Sequence, residues 1–345
     1  MYAATPYGRA GPSSRVRVFE WLDRLDAPFA LSSYASHRNS SPGYLASHPR
    51  SVWGAERTLR RFASSRPERL LLHREASPLS RGALERRLLA SADLSVYDFD
   101  DALHCDFGEG GILRRFAPKA AKALIAVQTA DRVIAGNEVL ADWATAHNRD
   151  VVIIPSCVDP SQYRVKSDYA LHDPPRIGWI GSAGNEPYLL LIAPALEELN
   201  RRTGARLTLV GTLHPSLGDL EGMIDRVAWS EASQHAILAD VDIGIAPLPD
   251  KPYERGKCGY KLLQYAAAGT PAVASPIGVN SKILAQLGMP GPTGIDEWTD
   301  ALIGLLGISA DARRRLGEGA RQLVSREYSY DSWQGRWREA LGLPI

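Results

Sequence analysis

Residues 254–280 read ERGKCGYKLLQYAAAGTPAVASPIGVN: a glycine-bearing turn, an alanine-rich segment of helical period, then a short apolar run. Gly256 and Gly259 let backbone approach a ligand closely, and the N–H groups of Cys258 and Gly259 ahead of a helix start suit an anion. Lys257 and Lys261 bracket this turn four residues apart. Of the 40 lysines and arginines only seven are lysines, so two of them stand where a phosphate would bind. The same residues also fit a solvated helix start with two surface lysines. A second cluster lies in LSVYDFDDALH, where Asp98, Asp100 and Asp101 end an apolar run. Carboxylates at the carboxyl end of a parallel strand face the ligand side and could hold hydroxyl groups; alternatively, Asp100 or Asp101 caps the helix that follows. In RLLLHREASPLS, His73, Arg74 and Glu75 stand at a similar edge. Near the N-terminus GRAGPSSRVR places Gly11, Ser13, Ser14 and Arg15 in a loop before a helix, with Ser14 also readable as an N-cap.

Short apolar runs alternating with longer helical stretches must position these groups, a pattern that predicts an α/β protein with parallel sheets. The first half offers strands at 69–73, 94–98, 132–135 and 151–154, with helices near 15–25, 51–64, 80–91, 112–128 and 137–147. MYAATP gives a first strand that looks short because Pro6 follows five residues, and the start reads as trimmed. The second half offers strands at 176–180, 206–210, 241–246 and 270–274, with helices near 187–202, 232–238, 259–268 and 296–306. Pro155, Pro160, Pro174 and Pro175 mark a boundary between two Rossmann-like units. The reading is residues 1–155, joined by a C-terminal helix at about 330–345, and residues 156–329. Tandem units of this kind are expected to turn the carboxyl ends of both sheets toward one central cleft.

Composition excludes several classes. The 345 residues are 45% hydrophobic, enough for two ordinary cores, and the formal charge is +1, so a nucleic-acid binder working by bulk charge is disfavoured. Cys105, Cys157 and Cys258 are odd in number and widely spaced, which fits neither a disulfide framework nor a zinc site and suggests a reducing compartment. No apolar run is long enough for a signal core or a transmembrane helix, so a cytoplasmic protein is expected. Trp143, Trp179 and Trp333 read as packing residues.

The stretch GKCGYKLLQYAAAGTPAVASPIGVN resembles the donor-binding signature of the retaining GT-B glycosyltransferases of family 4, and other segments follow in that family's order. ADRVIAGNEVLADWA, IIPSCVDPSQY, ADVDIGIAPLP and YSYDSWQGRWREAL each resemble a family segment, over most of the chain from about residue 93. The resemblance implies a nucleoside diphosphate sugar as donor, UDP or GDP, a hydroxyl acceptor, and no metal or further cofactor. Envelope glycans or secondary metabolites of a bacterium are the acceptors such enzymes decorate. It also implies donor contacts at Gly11, Ser13 and Arg15, at Gly181, Ser182 and Asn185, and at Trp229, Cys258, Gly259 and Gln264. Glu75 falls where the family often has an acceptor-side acid. The family's paired glutamates would fall on Gly256 and Gln264, and its Arg and Lys after the glycine-ended strand on Ser182 and Pro187. These departures match a sub-branch with WIGS and GKCxxKxxQY, in which Lys257 and Lys261 replace the missing charge.

Transfer of this kind needs preorganised positive charge at the leaving diphosphate. The resemblance implies retention of configuration, with the donor phosphate accepting the acceptor's proton, so no dedicated base is required. Two other readings compete. Gly256 and Gln264 also suit a non-catalytic nucleotide-sugar-binding protein, and a nucleotide-sugar epimerase shares the architecture but fits the segment order poorly.

Overall fold

The computed structural model describes residues 1–344 apart from 26–27, 36–41, 107–114, 212 and 215–216, and it leaves undescribed the side chains of 42 and 231–233. The chain divides into two compact units. Unit 1 comprises 1–157, 255–258 and 333–345; unit 2 comprises 158–254 and 259–332. Each is built on one all-parallel sheet.

In unit 1, six strands run in the order β2-β1-β3-β4-β5-β6. They are β1 (Tyr2–Tyr7), β2 (Ala30–Ala35), β3 (Arg69–His73), β4 (Leu94–Phe99), β5 (Arg132–Ala135) and β6 (Val151–Ile153). The centre of the sheet is buried on both faces, which is why 70–72 and 96–99 read as near-continuous apolar runs. β1 runs through Pro6 rather than stopping before it. It pairs with β3 only over Tyr2–Ala4, so Pro6 lies beyond that ladder and has a strand on one side alone. A helix over residues 12–22, α1, follows β1 and has a π-helical middle, Arg15–Phe19. The further helices are α2 (Pro42–Ser47), α3 (Pro49–Ser64), α4 (Ala83–Leu89), α5 (Lys119–Thr129) and α6 (Glu138–Thr145). Of the helix expected over 112–128, residues 112–114 lie outside the described residues, and α5 occupies the remainder from Lys119. The C-terminal helix Tyr330–Ala340 returns to this unit, where Trp337 stacks on Trp21 with ring centroids 5.1 Å apart.

Unit 2 orders five strands as β11-β10-β7-β8-β9. These are β7 (Arg176–Ile180), β8 (Arg206–Gly211), β9 (Ile224–Ala228), β10 (Ile243–Ala246) and β11 (Ala272–Ala274). Its helices are α7 (Ala193–Thr203), α8 (Glu231–Ile237), α9 (Pro252–Arg255), α10 (Tyr260–Ala268), α11 (Val279–Leu287), α12 (Ile295–Gly307) and α13 (Ala310–Glu327), making the C-terminal helix α14. The stretch expected as helix from 187 is first a 3₁₀ turn, Ala183–Ile192, before α7 begins. α10 lies close on the sheet because Gly244 leaves room: a Cβ there would stand 2.5 Å from the Tyr265 ring. The Tyr265 hydroxyl is 3.0 Å from the carbonyls of both Gly178 and Ile245, which satisfies it inside the core. No helix among the described residues is long and apolar enough to cross a membrane.

Candidate functional site

The carboxyl ends of β3 and β4 in unit 1 hold a continuous chain of charged groups. Asp98, from the buried end of β4, takes Arg17 of α1 on both oxygens, Nε at 3.2 Å and Nη2 at 2.5 Å. Arg17 also donates to the Ile154 carbonyl at 2.8 Å. His73 Nδ1 lies 2.7 Å from Asp98 Oδ1, and because a carboxylate only accepts, Nδ1 is the donor. On the other side of the ring, His73 Nε2 is 2.8 Å from Ser13 Oγ, which donates to Asp100 at 2.7 Å. Arg74 bridges Asp100, through Nε at 2.6 Å, and Asp101, through Nη2. Lys257 Nζ approaches Asp101 at 3.8 Å, and the Cys258 thiol donates to the Asp100 carbonyl at 3.2 Å.

Exposure separates these groups by what they can touch. The Asp98 side chain is 1% exposed, whereas Asp100, Asp101 and Lys257 keep 11%, 15% and 20%. The expectation that Asp98 contacts an acceptor is therefore corrected: both its oxygens are enclosed with Arg17 and His73, and it holds the network in place. Glu75 is corrected for the same reason. It is buried against Lys122, whose Nζ donates to Glu75 Oε2 at 2.6 Å and to the Ser77 carbonyl at 2.8 Å. Neither Asp100 nor Asp101 caps a helix; the 3₁₀ turn that follows, Leu103–Cys105, has Ala102 at its N-cap and no side-chain cap.

The loop before α1 is set by Gly11, where a Cβ would stand 2.5 Å from Tyr7 Cβ. Ser13 is half-buried and Arg15 buried. Residues 255–258 belong to unit 1, although the sequence reading gave them to the donor domain. Gly256 and Gly136 permit this packing, since a Cβ would meet Ala102 at 2.5 Å in the first case and Cys258 Sγ at 2.4 Å in the second. Asn137 Nδ2 then donates to the Gly256 carbonyl at 2.9 Å. Burial, with Asp100 adding to it, pushes the Cys258 thiol up to about 12, so it acts as a packed hydrogen-bond donor and not as a nucleophile.

In unit 2, α10 starts at Gly259, whose φ of 65° is left-handed and where a Cβ would stand 2.6 Å from Ile283. No side chain caps this start. Lys261 Nζ lies 5.3 Å from the centroid of the Trp179 ring. Gln264 and Trp229 come together through a residue that sequence reasoning missed, Gln234: its Oε1 accepts from the Trp229 indole at 3.1 Å and from Gln264 Nε2 at 3.5 Å. After β7, Asn185 Nδ2 donates to Ser182 Oγ at 3.3 Å, and Gly181 N–H donates to the Val210 carbonyl at 3.0 Å. Two further groups were missed. Tyr188 donates to Glu254 at 2.6 Å, and Glu186, buried beside β8, takes Arg226 at 3.1 Å.

Burial alone would raise the Asp98 and Asp100 carboxyls. Arg17 and His73 around Asp98, and Arg74 with His73 and Arg17 around Asp100, outweigh it and hold both below the ordinary 3.8. An acid held lower in the folded state than in the unfolded chain stabilises the fold fully above about pH 4, and that contribution is lost as pH falls through the depressed folded values. Thermal melts are expected to be flat from about pH 8 to 5 and to fall below about pH 4, less steeply in Asp100→Asn. An unchanged melting temperature from about pH 5 to 2.5 would contradict this assignment.

The architecture is that of the GT-B glycosyltransferases, two Rossmann-like domains each on a parallel sheet. Residues 174–307, which belong to unit 2 apart from 255–258, match the family Glycosyl transferases group 1. A sucrose-phosphate synthase from Thermosynechococcus elongatus superposes with a TM-score of 0.72 at 14% identity, over 98% of this chain and 97% of its own. The Anabaena protein Alr3699/HepE, solved in complex with UDP, gives 0.68 at 12% identity over 99% of both chains. TarM gives 0.61 at 14% identity, and the match covers 82% of this chain but only 57% of TarM. No curated protein matches the sequence.

Proposed function

We propose that the chain is a retaining glycosyltransferase of family 4 type that moves a sugar from a nucleoside diphosphate sugar, UDP- or GDP-linked, to a hydroxyl acceptor. The reading rests on one coincidence in unit 2: the segment matching Glycosyl transferases group 1 contains the uncapped helix start at Gly259, with Lys261 one residue inside α10. Its N–H groups and the lysine provide fixed positive potential for a leaving diphosphate, which lowers the barrier without a reorganisation cost. On the same unit, Gly181, Ser182 and Asn185 after β7, with Trp229 and Gln264, are the proposed contacts for the rest of the donor. On unit 1 we assign Lys257, Cys258 and the loop of Gly11, Ser13 and Arg15 to the donor. Asp100 and Asp101, the partly exposed carboxylates of the network, are assigned to the acceptor hydroxyl. Arg74 and Ser13 fix their orientation, so they accept a hydrogen bond without having to reorganise.

We propose that the reaction is independent of metal and runs in the cytoplasm of a bacterium, with envelope glycans or secondary metabolites as acceptors. Among the described residues no three His, Cys, Asp or Glu side chains converge on a point where an ion would sit, and the carboxylates of the network are turned toward arginines. A thermal-shift screen across UDP, GDP, dTDP and ADP sugars tests the reading. A true donor is expected to raise the melting temperature equally with EDTA and with magnesium, because stabilisation follows ligand concentration over its dissociation constant. A shift abolished by EDTA and restored by magnesium would overturn the metal-free mechanism, and no shift with any donor would overturn donor binding.

A second reading, a nucleotide-sugar-binding protein without turnover, is favoured by one observation. Gln264, buried and tied to Gln234, is an amide where the family carries a carboxylate. It predicts the same thermal shifts but no cleavage of the donor.

A further inference from the structure

α3 carries two sharply different faces. Leu59 and Ala63 are buried, with Val52 and Phe62 half-buried beside them, where the helix packs on β2 and α4. The solvent face reads Arg50, Trp53, Arg57, Arg60, Arg61 and Ser64, a spacing that places them within an arc of about 100° opposite the buried stripe. Trp53 is 64% exposed, the largest exposure among the big apolar side chains described, and the Arg57 guanidinium stands 5.2 Å from its ring centroid. The indole is thus set among arginines and points to solvent. α4 extends the same surface: Arg86 and Arg87 are exposed, and Arg87 reaches Ser64 Oγ at 3.5 Å. Six exposed arginines stand here; half-buried Glu56 takes the hydroxyls of Ser77 and Tyr34 on one oxygen and lies 3.9 Å from one of the six, Arg60, on the other. In a chain of formal charge +1, this is a local concentration of positive charge and not a general excess.

We propose that this face of α3 and α4 docks unit 1 on an anionic lipid surface. The charge complements acidic headgroups, and each arginine brought close adds to the attraction. The exposed indole separates this surface from a plain polyanion site. A Trp ring with an apolar body and one N–H donor is suited to the headgroup boundary, where the flanking arginines would meet the acidic groups. A nucleic-acid duplex, its bases stacked inside, would be held by the arginines alone.

Co-sedimentation of the full chain with vesicles tests this. The protein is expected to pellet with vesicles of phosphatidylcholine and phosphatidylglycerol at about 3:1 in 0.1 M salt, to remain in solution with phosphatidylcholine alone, and to be released at about 0.5 M salt. Arg57→Glu with Arg61→Glu should weaken binding at least about tenfold, and Trp53→Ser about fivefold. The control Arg315→Glu with Arg326→Glu, on unit 2, should leave it unchanged. All these side chains are exposed, so melting temperatures should stay near wild type and a loss of binding is not a loss of folding. Equal binding to neutral vesicles, no binding to anionic ones, or full binding by the reversed pair would overturn the proposal. So would duplex DNA competing the vesicles away with Trp53→Ser unchanged, which would mark a polyanion site. Donor binding on unit 2 is measured separately and does not depend on the outcome.

Discussion

Arg17→Met is expected to destabilise unit 1 by about 3–5 kcal/mol, the usual cost of leaving one charge of a buried pair without its partner. Arg17 and Asp98 are each 1% exposed, and the guanidinium makes two bonds to the carboxylate and one to Ile154. Removing it leaves the Asp98 carboxylate with the hydrogen bond from His73 Nδ1, in a place water does not reach. Adding Asp98→Asn to Arg17→Met should recover part of the loss, because the amide removes the buried charge along with its vanished partner. Chemical denaturation followed through Trp21 and Trp337, which stack within unit 1, reads this unit's transition. A loss below about 1 kcal/mol in the single variant would mean that the pair contributes no more than a surface bridge.

The second large effect is expected on turnover. Lys257→Ala should lower kcat/KM by about 10- to 150-fold, the range of a charge-assisted hydrogen bond to an anion of about 1.5–3 kcal/mol. Lys257 also approaches Asp101 at 3.8 Å, with both side chains partly exposed, a contact worth at most about 1 kcal/mol. If Lys257 served only that pair, Lys257→Ala and Asp101→Asn would each cost about fivefold or less, and the double variant no more than either. A phosphate role predicts a larger and separate loss for the lysine. Lys251→Ala and Lys282→Ala, both at exposed positions, should leave turnover unchanged.

The central strands were legible because parallel strands covered on both faces become continuous apolar runs, and β3, β5 and β7 fall on their expected residues. β2 and β9 were not. Each is an edge strand of its sheet, and ALSSYA and IDRVA carry the polar residues that an edge tolerates, so neither run stands out from a loop. The site divides in a similar way. The aspartates and lysines were visible as residue types at strand ends and a helix start. Their partners were not, because Arg17 sits in a helical pattern and meets Asp98 only once α1 is laid beside β4. The scarcity of lysine was the usable signal for Lys122 and Lys166. Both prove to be interior: Lys122 answers Glu75, and Lys166 donates to the carbonyls of Ala239 and Val241. The assignment of 255–258 to unit 1 depends on contacts with Asn137, Asp100 and Ala102 that no local pattern records.

Proton NMR of the donor's anomeric signal during incubation with the full chain tests sugar transfer most directly, since water can stand in for an unidentified acceptor. With the sugar nucleotide selected by thermal shift, the expected result is slow release of nucleoside diphosphate, with the free sugar first appearing in the donor's own anomeric configuration. Release of the opposite anomer would contradict the retaining mechanism. Saturating donor binding with no cleavage, in the presence or absence of hydroxyl acceptors, would contradict sugar transfer itself.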